Sequence, residues 1–157
     1  FQTVVGPVVA SGFEGIFLIA TNPVDIMTRV TQRFSGFPPH RVIGSGTTLD
    51  TARLRFLLGR YFDVDPRNVH AYVMGEHGES EFVPWSQAML GVKPILQICA
   101  EQKEAFCRDE LDRIGEDVRR AGGEIIEAKG ATYYGIGMAL CRIVEAIFSD
   151  ESSILTV

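Results

Sequence analysis

Gly15-Ile16-Phe17-Leu18-Ile19-Ala20 is an unbroken apolar run, bounded by turn-forming residues and too short for a helix. It reads as a strand covered on both faces, the sign of a parallel sheet packed between helices. Thr21-Asn22-Pro23 stops the strand, and Pro23 fits the first turn of a helix over 24–34, where no N–H is needed. Upstream, residues 1–11 carry apolar side chains on a loosely helical period that Ser11-Gly12 ends. Downstream, a Gly/Pro turn over 35–39 leads to a strand-like piece at 41–45. A helix over 49–61 follows, with Leu49, Ala52, Phe56 and Leu57 tracing one face. Residues 69–74 are β-rich until Gly75-Glu76-His77-Gly78 breaks them. Residues 93–150 have a helical pattern, and 153–157 begin another strand. The predicted fold class is α/β.

The chain has 157 residues, enough for about one domain. Hydrophobic residues are 46% and charged residues 22%, so there is apolar material for a core and the chain is not of the disordered class. Fifteen Lys and Arg against twenty Asp and Glu give a net charge of −5 with no basic stripe, which argues against a nucleic-acid partner. The charges crowded between Glu101 and Arg120 fit a solvated helix face. No apolar stretch approaches the roughly 18 residues of a membrane span, and no basic leader opens the chain. Phe1-Gln2-Thr3-Val4-Val5 reads as the middle of a helix, as expected of a fragment. Cys99, Cys107 and Cys141 form no CxxC pair and no ligand-spaced cluster with His40, His70 or His77. Their odd count and wide spacing predict free thiols in a reducing, cytoplasmic compartment, with no disulfide scaffold and no metal site.

Three features bear on chemistry. His77 stands among small residues at the end of a predicted strand, where an imidazole serves equally as a general acid/base or as a turn cap. Glu76-His77 is not an HExxH zinc motif, since no second His follows at that spacing. Asp50 and Arg53 lie three apart on one helix and share a face, as a plain surface pair or as a carboxylate for a His and a guanidinium for an anion. Arg55 points about 200° around the helix from Arg53, so if both arginines matter they serve different sites. Gly44-Ser45-Gly46 only weakly resembles a phosphate-binding GxGxxG, because Leu49 stands in place of its third Gly.

Four runs decide more. Ala20-Thr21-Asn22-Pro23-Val24-Asp25, Ser35-Gly36-Phe37-Pro38, residues 41–53 from Arg41-Val42-Ile43-Gly44 to Asp50-Thr51-Ala52-Arg53, and Gly75-Glu76-His77-Gly78-Glu79-Ser80 occur in this order. With Lys129-Gly130-Ala131-Thr132-Tyr133-Tyr134-Gly135, they make the whole chain resemble the bacterial L-lactate dehydrogenases of the lactate/malate dehydrogenase family. The resemblance implies residues 1–23 as the end of a dinucleotide-binding domain and 24–157 as most of an α+β catalytic domain. The family's Gly-rich turn and mobile loop would precede Phe1, and its last strands would follow Val157. The 157 residues alone are therefore expected to be inactive.

The resemblance also implies roles. The family moves a hydride between NADH and pyruvate, and His77 matches its proton donor and acceptor. Asp50 matches the carboxylate that orients that His, and Arg53 matches the residue gripping the substrate carboxylate through two bonds. Asn22 matches a residue near both substrate and nicotinamide, beside what looks like the family's cis peptide at Asn22-Pro23. Ala20, Thr21 and Ser45 align with NAD contacts, and Thr132 with the substrate pocket. Arg55 and His70 match positions that bind fructose 1,6-bisphosphate between subunits in allosteric, tetrameric members. Glu79 departs from the family's usual Asp, and Gly122-Gly123 falls inside a predicted helix, where straightness is in question. Malate and bulkier 2-hydroxy acids are the alternative substrates. An inactive oligomerisation or effector-binding module is the alternative of another class.

Overall fold

The computed structural model describes residues 1–101 and 107–157. Helix α1 (Gln2–Ala10) leads to strand β1 (Phe17–Ile19), helix α2 (Val24–Ser35) and strand β2 (Val42–Gly44). β1 and β2 pair in parallel, with Phe17 opposite Val42 and Ile19 opposite Gly44. A parallel pair needs a crossover, and α2 supplies it. Gly36 ends α2 at φ 68°, a left-handed conformation that suits glycine. Ile19, Val24 and Val42 bury a small core here, closed by Phe17, Met27 and Phe37. β1 is shorter than the apolar run and only Ile19 of it is buried, so the covering on both faces expected from its composition is partial.

Helix α3 (Thr48–Tyr61) then runs under the second half of the chain. Strands β3 (Val69–His70), β4 (Met89–Leu90) and β5 (Lys93–Pro94) form a short antiparallel sheet, with Val69 opposite Leu90 and Met89 opposite Pro94. Helices α4 (Ile95–Glu101), α5 (Cys107–Lys129) and α6 (Tyr134–Phe148) complete the described elements. Leu54 and Leu58 of α3 meet Val69, Val73, Ile95, Leu111, Ile114 and Val118 in the larger core. Leu111, Ile114 and Val118 follow the three- and four-residue steps of one helix face, while the acids and bases of α5 pair in solvent. Leu54→Ala is expected to destabilise the fold by about 2–5 kcal/mol, since the side chain is fully buried at the centre of this cluster. Urea unfolding checks this through its midpoint, and a loss under 1 kcal/mol on the order-of-magnitude scale of a surface change would contradict it.

Several expectations are corrected. Residues 71–74 do not extend β3: backbone groups of Ala71 and Val73 are taken by side chains of α3 and of Thr47 at its N-terminus, and Met74 pairs only with Phe82 in an isolated bridge. Thr47 Oγ1 donates to the Val73 carbonyl at 2.6 Å, Val73 N–H donates to Thr51 Oγ1 at 2.9 Å, and Arg55 Nε donates to the Ala71 carbonyl at 3.0 Å. Residues 153–157 form no strand; they lie against α3, with Thr48 Oγ1 donating to the Thr156 carbonyl at 3.0 Å. That tail passes so close to Gly46 (φ 49°) that a Cβ there would lie 2.6 Å from the Thr156 carbonyl oxygen, which gives this glycine a packing role. α5 continues through Gly122-Gly123 to Lys129 without a break. The helical pattern over 93–150 resolves into β5 and three helices, and its residues 102–106 lie outside the described residues.

Cys99 and Cys107 are joined by a disulfide with Cα atoms 5.4 Å apart, contrary to the expectation of three free thiols. Cys99 on α4 and Cys107 at the start of α5 are brought together where the two helices pack, a juxtaposition that spacing along the chain does not show. Only Cys141 is free, so the cysteines no longer argue for a reducing compartment. No helix among the described residues is long and apolar enough to cross a membrane.

Candidate active site

The carboxyl ends of two parallel strands, the N-terminal half of α3 and the loop after Val73 converge on one point. Beyond β1, Ala20, Thr21 and Asn22 are exposed, and the Asn22-Pro23 bond is cis. Beyond β2, Ser45 is buried and its N–H donates to the Ile19 carbonyl at 2.8 Å, tying the two strand ends together. Crevices at strand carboxyl ends are where open α/β sheets receive ligands. From α3, Asp50 and Arg53 point to the same side, and Arg53 Nη1 donates to Asp50 Oδ1 at 3.1 Å. Asp50 is 1% exposed, so its charge depends on partners rather than on water.

His77 is the second partner. Its Nδ1 lies 2.6 Å from Asp50 Oδ2 and 3.5 Å from Glu81 Oε2, while its backbone N–H donates to Asp25 Oδ2 at 3.0 Å. The loop bearing it is closed by an antiparallel bridge in which Met74 and Phe82 exchange two hydrogen bonds of 2.9 Å. Gly75 turns into this loop at φ 94°. The hydrogen bonds to Asp50 and to Glu81 raise the His77 pKa from 6.5 to about 10, outweighing the desolvation that lowers it. At neutral pH the ring is therefore an imidazolium, and Nε2 has no hydrogen-bond partner among the described residues.

A cavity of about 210 Å³ opens on these groups, lined by Ala20, Asn22, Ser45, Gly46, Leu49, Arg53, His77, Gly122, Ile126, Thr132 and Ile136. An imidazolium, a guanidinium, an amide and two hydroxyls thus converge on one small space with apolar walls, which suits a small polar anion. Asp50, His77 and Glu81 also place three donor atoms within 4.8 Å of one another, a spacing a divalent cation could bridge. One proton shared between Nδ1 and the two carboxylates accounts for the same approach.

Family models match in two blocks. Residues 1–44 match the lactate/malate dehydrogenase NAD binding domain, and residues 47–157 match the alpha/beta C-terminal domain. The chain belongs to the lactate/malate dehydrogenase family. It is 57% identical over all of its length to L-lactate dehydrogenase 2 of Bacillus cereus, and 59% identical to L-lactate dehydrogenase of Geobacillus thermodenitrificans. It spans 50% and 49% of those two proteins. Among solved structures it is similar to a lactate dehydrogenase enzyme from a Medee basin deep-sea metagenome library. That match has a TM-score of 0.93 and 52% identity, covering 98% of this chain and 49% of the other.

Within this lactate/malate dehydrogenase chain, the cavity gathers six of the sequence-predicted residues, and Asp50 stands directly behind it. Thr21 does not line the cavity and lies on the exposed side of the strand end. Arg55 and His70 are elsewhere, as their helical and strand positions require. Arg55 faces a separate cavity of about 370 Å³ shared with Arg142, its guanidinium 4.7 Å from the Tyr72 ring centroid, and His70 is exposed on β3. The sequence reading missed Glu81 and Asp25. The one signal for Glu81 was a carboxylate four residues past His77, and for Asp25 there was none short of the fold. Glu79, the departure from the family pattern, is exposed.

Proposed function

We propose that this chain forms the substrate side of an NAD-dependent L-lactate dehydrogenase, interconverting pyruvate and lactate. The observation that carries this is the Asp50–His77 pair with Arg53 on the same carboxylate, the imidazole and the guanidinium both lining one small cavity. In this reading residues 1–44, which include the parallel pair β1–β2, end the dinucleotide-binding domain, and residues 47–157 form the catalytic domain, so the boundary falls later than the one expected at residue 23. Ala20, Asn22 and Ser45 line the crevice at the sheet's carboxyl edge with two polar side chains, and Thr21 is exposed beside them, a strand-end set that fits a nicotinamide coenzyme. The chemistry such a coenzyme would supply there is a hydride for the carbonyl carbon.

The chain's own residues do the rest. Arg53 takes the pyruvate carboxylate, its Nη1 already anchored on Asp50, which fixes the fork against the cavity. His77, charged at neutral pH, donates the proton from Nε2 to the carbonyl oxygen as it becomes an alkoxide, and takes it back in lactate oxidation. Asp50 holds Nδ1 and so leaves Nε2 directed away from the protein, the orienting part a triad carboxylate plays. Asn22 and Thr132 complete the polar lining around the substrate.

We also propose that Arg55 and His70 bind fructose 1,6-bisphosphate at a twofold between subunits of a homotetramer. Arg55 is bonded to the carbonyl of Ala71, the residue after His70, so a phosphate held by both would act on α3 and β3 together. The test is pyruvate saturation with NADH in a protein of the relatives' length carrying these residues. Saturable pyruvate reduction that exceeds oxaloacetate reduction is expected, with the bisphosphate lowering the pyruvate KM and favouring tetramers. The double change Arg55→Gln with His70→Ala should abolish the response. Preference for oxaloacetate would redirect the substrate assignment, and activation that survives the double change would remove the effector site.

A further inference from the structure

Of the two carboxylates beside His77, Asp50 is shared and Glu81 is not. Asp50 Oδ1 accepts from Arg53, and its Oδ2 faces His77 Nδ1. One buried negative charge is thus divided between two cations, and the Asp50–Arg53 pair by itself is neutral. Glu81 is 4% exposed, and its carboxylate meets two groups among the described residues: the Gly78 N–H, which donates to Oε2 at 3.3 Å, and His77 Nδ1, 3.5 Å from the same oxygen. His77 is the one cation within 4.0 Å of that carboxylate among the described residues. A buried carboxylate with no cation is costly, so each time His77 loses its proton Glu81 is left uncompensated. With His77 protonated, two carboxylates face an imidazolium and a guanidinium and the charges cancel.

We propose that Glu81 is a positioning residue that holds His77 in its protonated form, supplying the unshared half of the charge while Asp50 sets the direction of the ring. This rests on His77 being the proton donor of the proposed reaction. The fold fixes the backbone on both sides of the contact. The Met74–Phe82 bridge closes the loop, Glu81 N–H donates to the Gly78 carbonyl at 3.1 Å, and Arg119 Nη2 on α5 donates to the Glu81 carbonyl at 3.1 Å. Arg119 is turned to that backbone oxygen and to the Glu116 carboxylate, which leaves the Glu81 side chain to His77. The remaining charged groups around the ring are Asp50 and Arg53 from α3 and Asp25 from α2, the last on the His77 backbone N–H. Both hydrogen bonds, Asp50 first and Glu81 second, push the His77 pKa upward.

Glu81→Gln tests this, because it keeps the shape and an acceptor for Gly78 N–H but removes the charge. In a protein of the relatives' length, NMR titration of the His77 ring should show its midpoint falling by about one pH unit or more, a tenfold loss of proton affinity. The basic limb of kcat/KM for pyruvate should move down by the same amount. The rate loss should be small on the acidic plateau and grow to about tenfold on the basic limb, and lactate oxidation should gain at lower pH. A merely structural role would lower the rate equally at every pH and leave the midpoint in place, and either result overturns the proposal. Glu81→Ala, which also removes the acceptor, should lower the midpoint at least as far, and a midpoint that falls in Ala but not in Gln would assign the effect to shape and overturn it too. An unmoved midpoint in an active enzyme overturns the role of Glu81 alone. A lowered midpoint in a protein that reduces no 2-oxo acid overturns the dehydrogenase reading, and the positioning role with it.

Discussion

In a protein of the relatives' length that acts as proposed, His77→Asn should lower kcat for pyruvate reduction by about 10²–10⁴-fold, the usual worth of a placed general acid, while NADH binding is retained. Asn keeps a hydrogen-bonding group toward Asp50 but has no proton to give at neutral pH. The same imidazole sets the pH dependence. Its pKa is raised from 6.5 to about 10, by the hydrogen bond to Asp50 first and that to Glu81 second, so the donor form persists well above neutrality. Pyruvate reduction in the unaltered enzyme should fall as pH rises toward about 10, and lactate oxidation, which needs the free base, should rise over the same range. Stability follows the same sign. A raised pKa means the folded state holds the proton more tightly than the unfolded chain. The stability His77 contributes is therefore full below about 6.5 and is lost as pH climbs to about 10. His77→Asn should flatten that alkaline decline in thermal unfolding. Steady-state rates within about threefold of the unaltered enzyme, under 1 kcal/mol in the barrier, would remove His77 from the chemistry.

What could be read before folding was whatever depends on neighbours in the chain. Gly15 to Ala20 announces a strand because continuous apolar residues between turns have few other uses, and Pro23 and Gly36 bracket α2 through their own backbone limits. Asp50 and Arg53 could be placed on one face and Arg55 on another from the helical period alone. The fold then draws Arg53 and Arg55 to different cavities. Contacts across the fold were not legible. Thr47 and Thr51 look like ordinary N-terminal helix residues, yet they take the backbone groups of Val73 and so prevent a longer β3. Glu81 looks like a polar loop residue, yet it is buried beside His77, with its carbonyl held by Arg119, 38 positions away in the chain. The Cys99–Cys107 bond likewise follows from helix packing and not from cysteine count. The motif resemblance supplied roles for Asn22, Thr132 and Ser45 that local chemistry alone would have left as turn residues.

Arg53→Lys should lower kcat/KM for pyruvate by roughly ten- to a hundredfold, about the 1.5–3 kcal/mol of one hydrogen bond to a charged group, with pyruvate KM and kcat both affected. The Arg53 guanidinium donates from Nη1 to Asp50 at 3.1 Å and lines the cavity, and no hydrogen bond donated by its Nε or Nη2 is found among the described residues. A lysine ammonium keeps the positive charge beside Asp50 but offers no planar fork, so it holds either the aspartate or one carboxylate oxygen of the substrate. Pyruvate then binds more weakly and swings relative to His77, which costs both terms. Charge retention gives the decisive control. Asp50 stays neutralised, so the pH at which activity falls should stay where it is, whereas Arg53→Gln removes the competing cation and should shift that limb further alkaline while lowering activity more. The two variants together separate grip from electrostatics: a fall in kcat/KM with a fixed limb in Lys, and a fall with a raised limb in Gln. Pyruvate kinetics across pH for both, alongside an unaltered KM for NADH, read the difference. Near-normal pyruvate KM in Arg53→Lys would place the substrate carboxylate on another group.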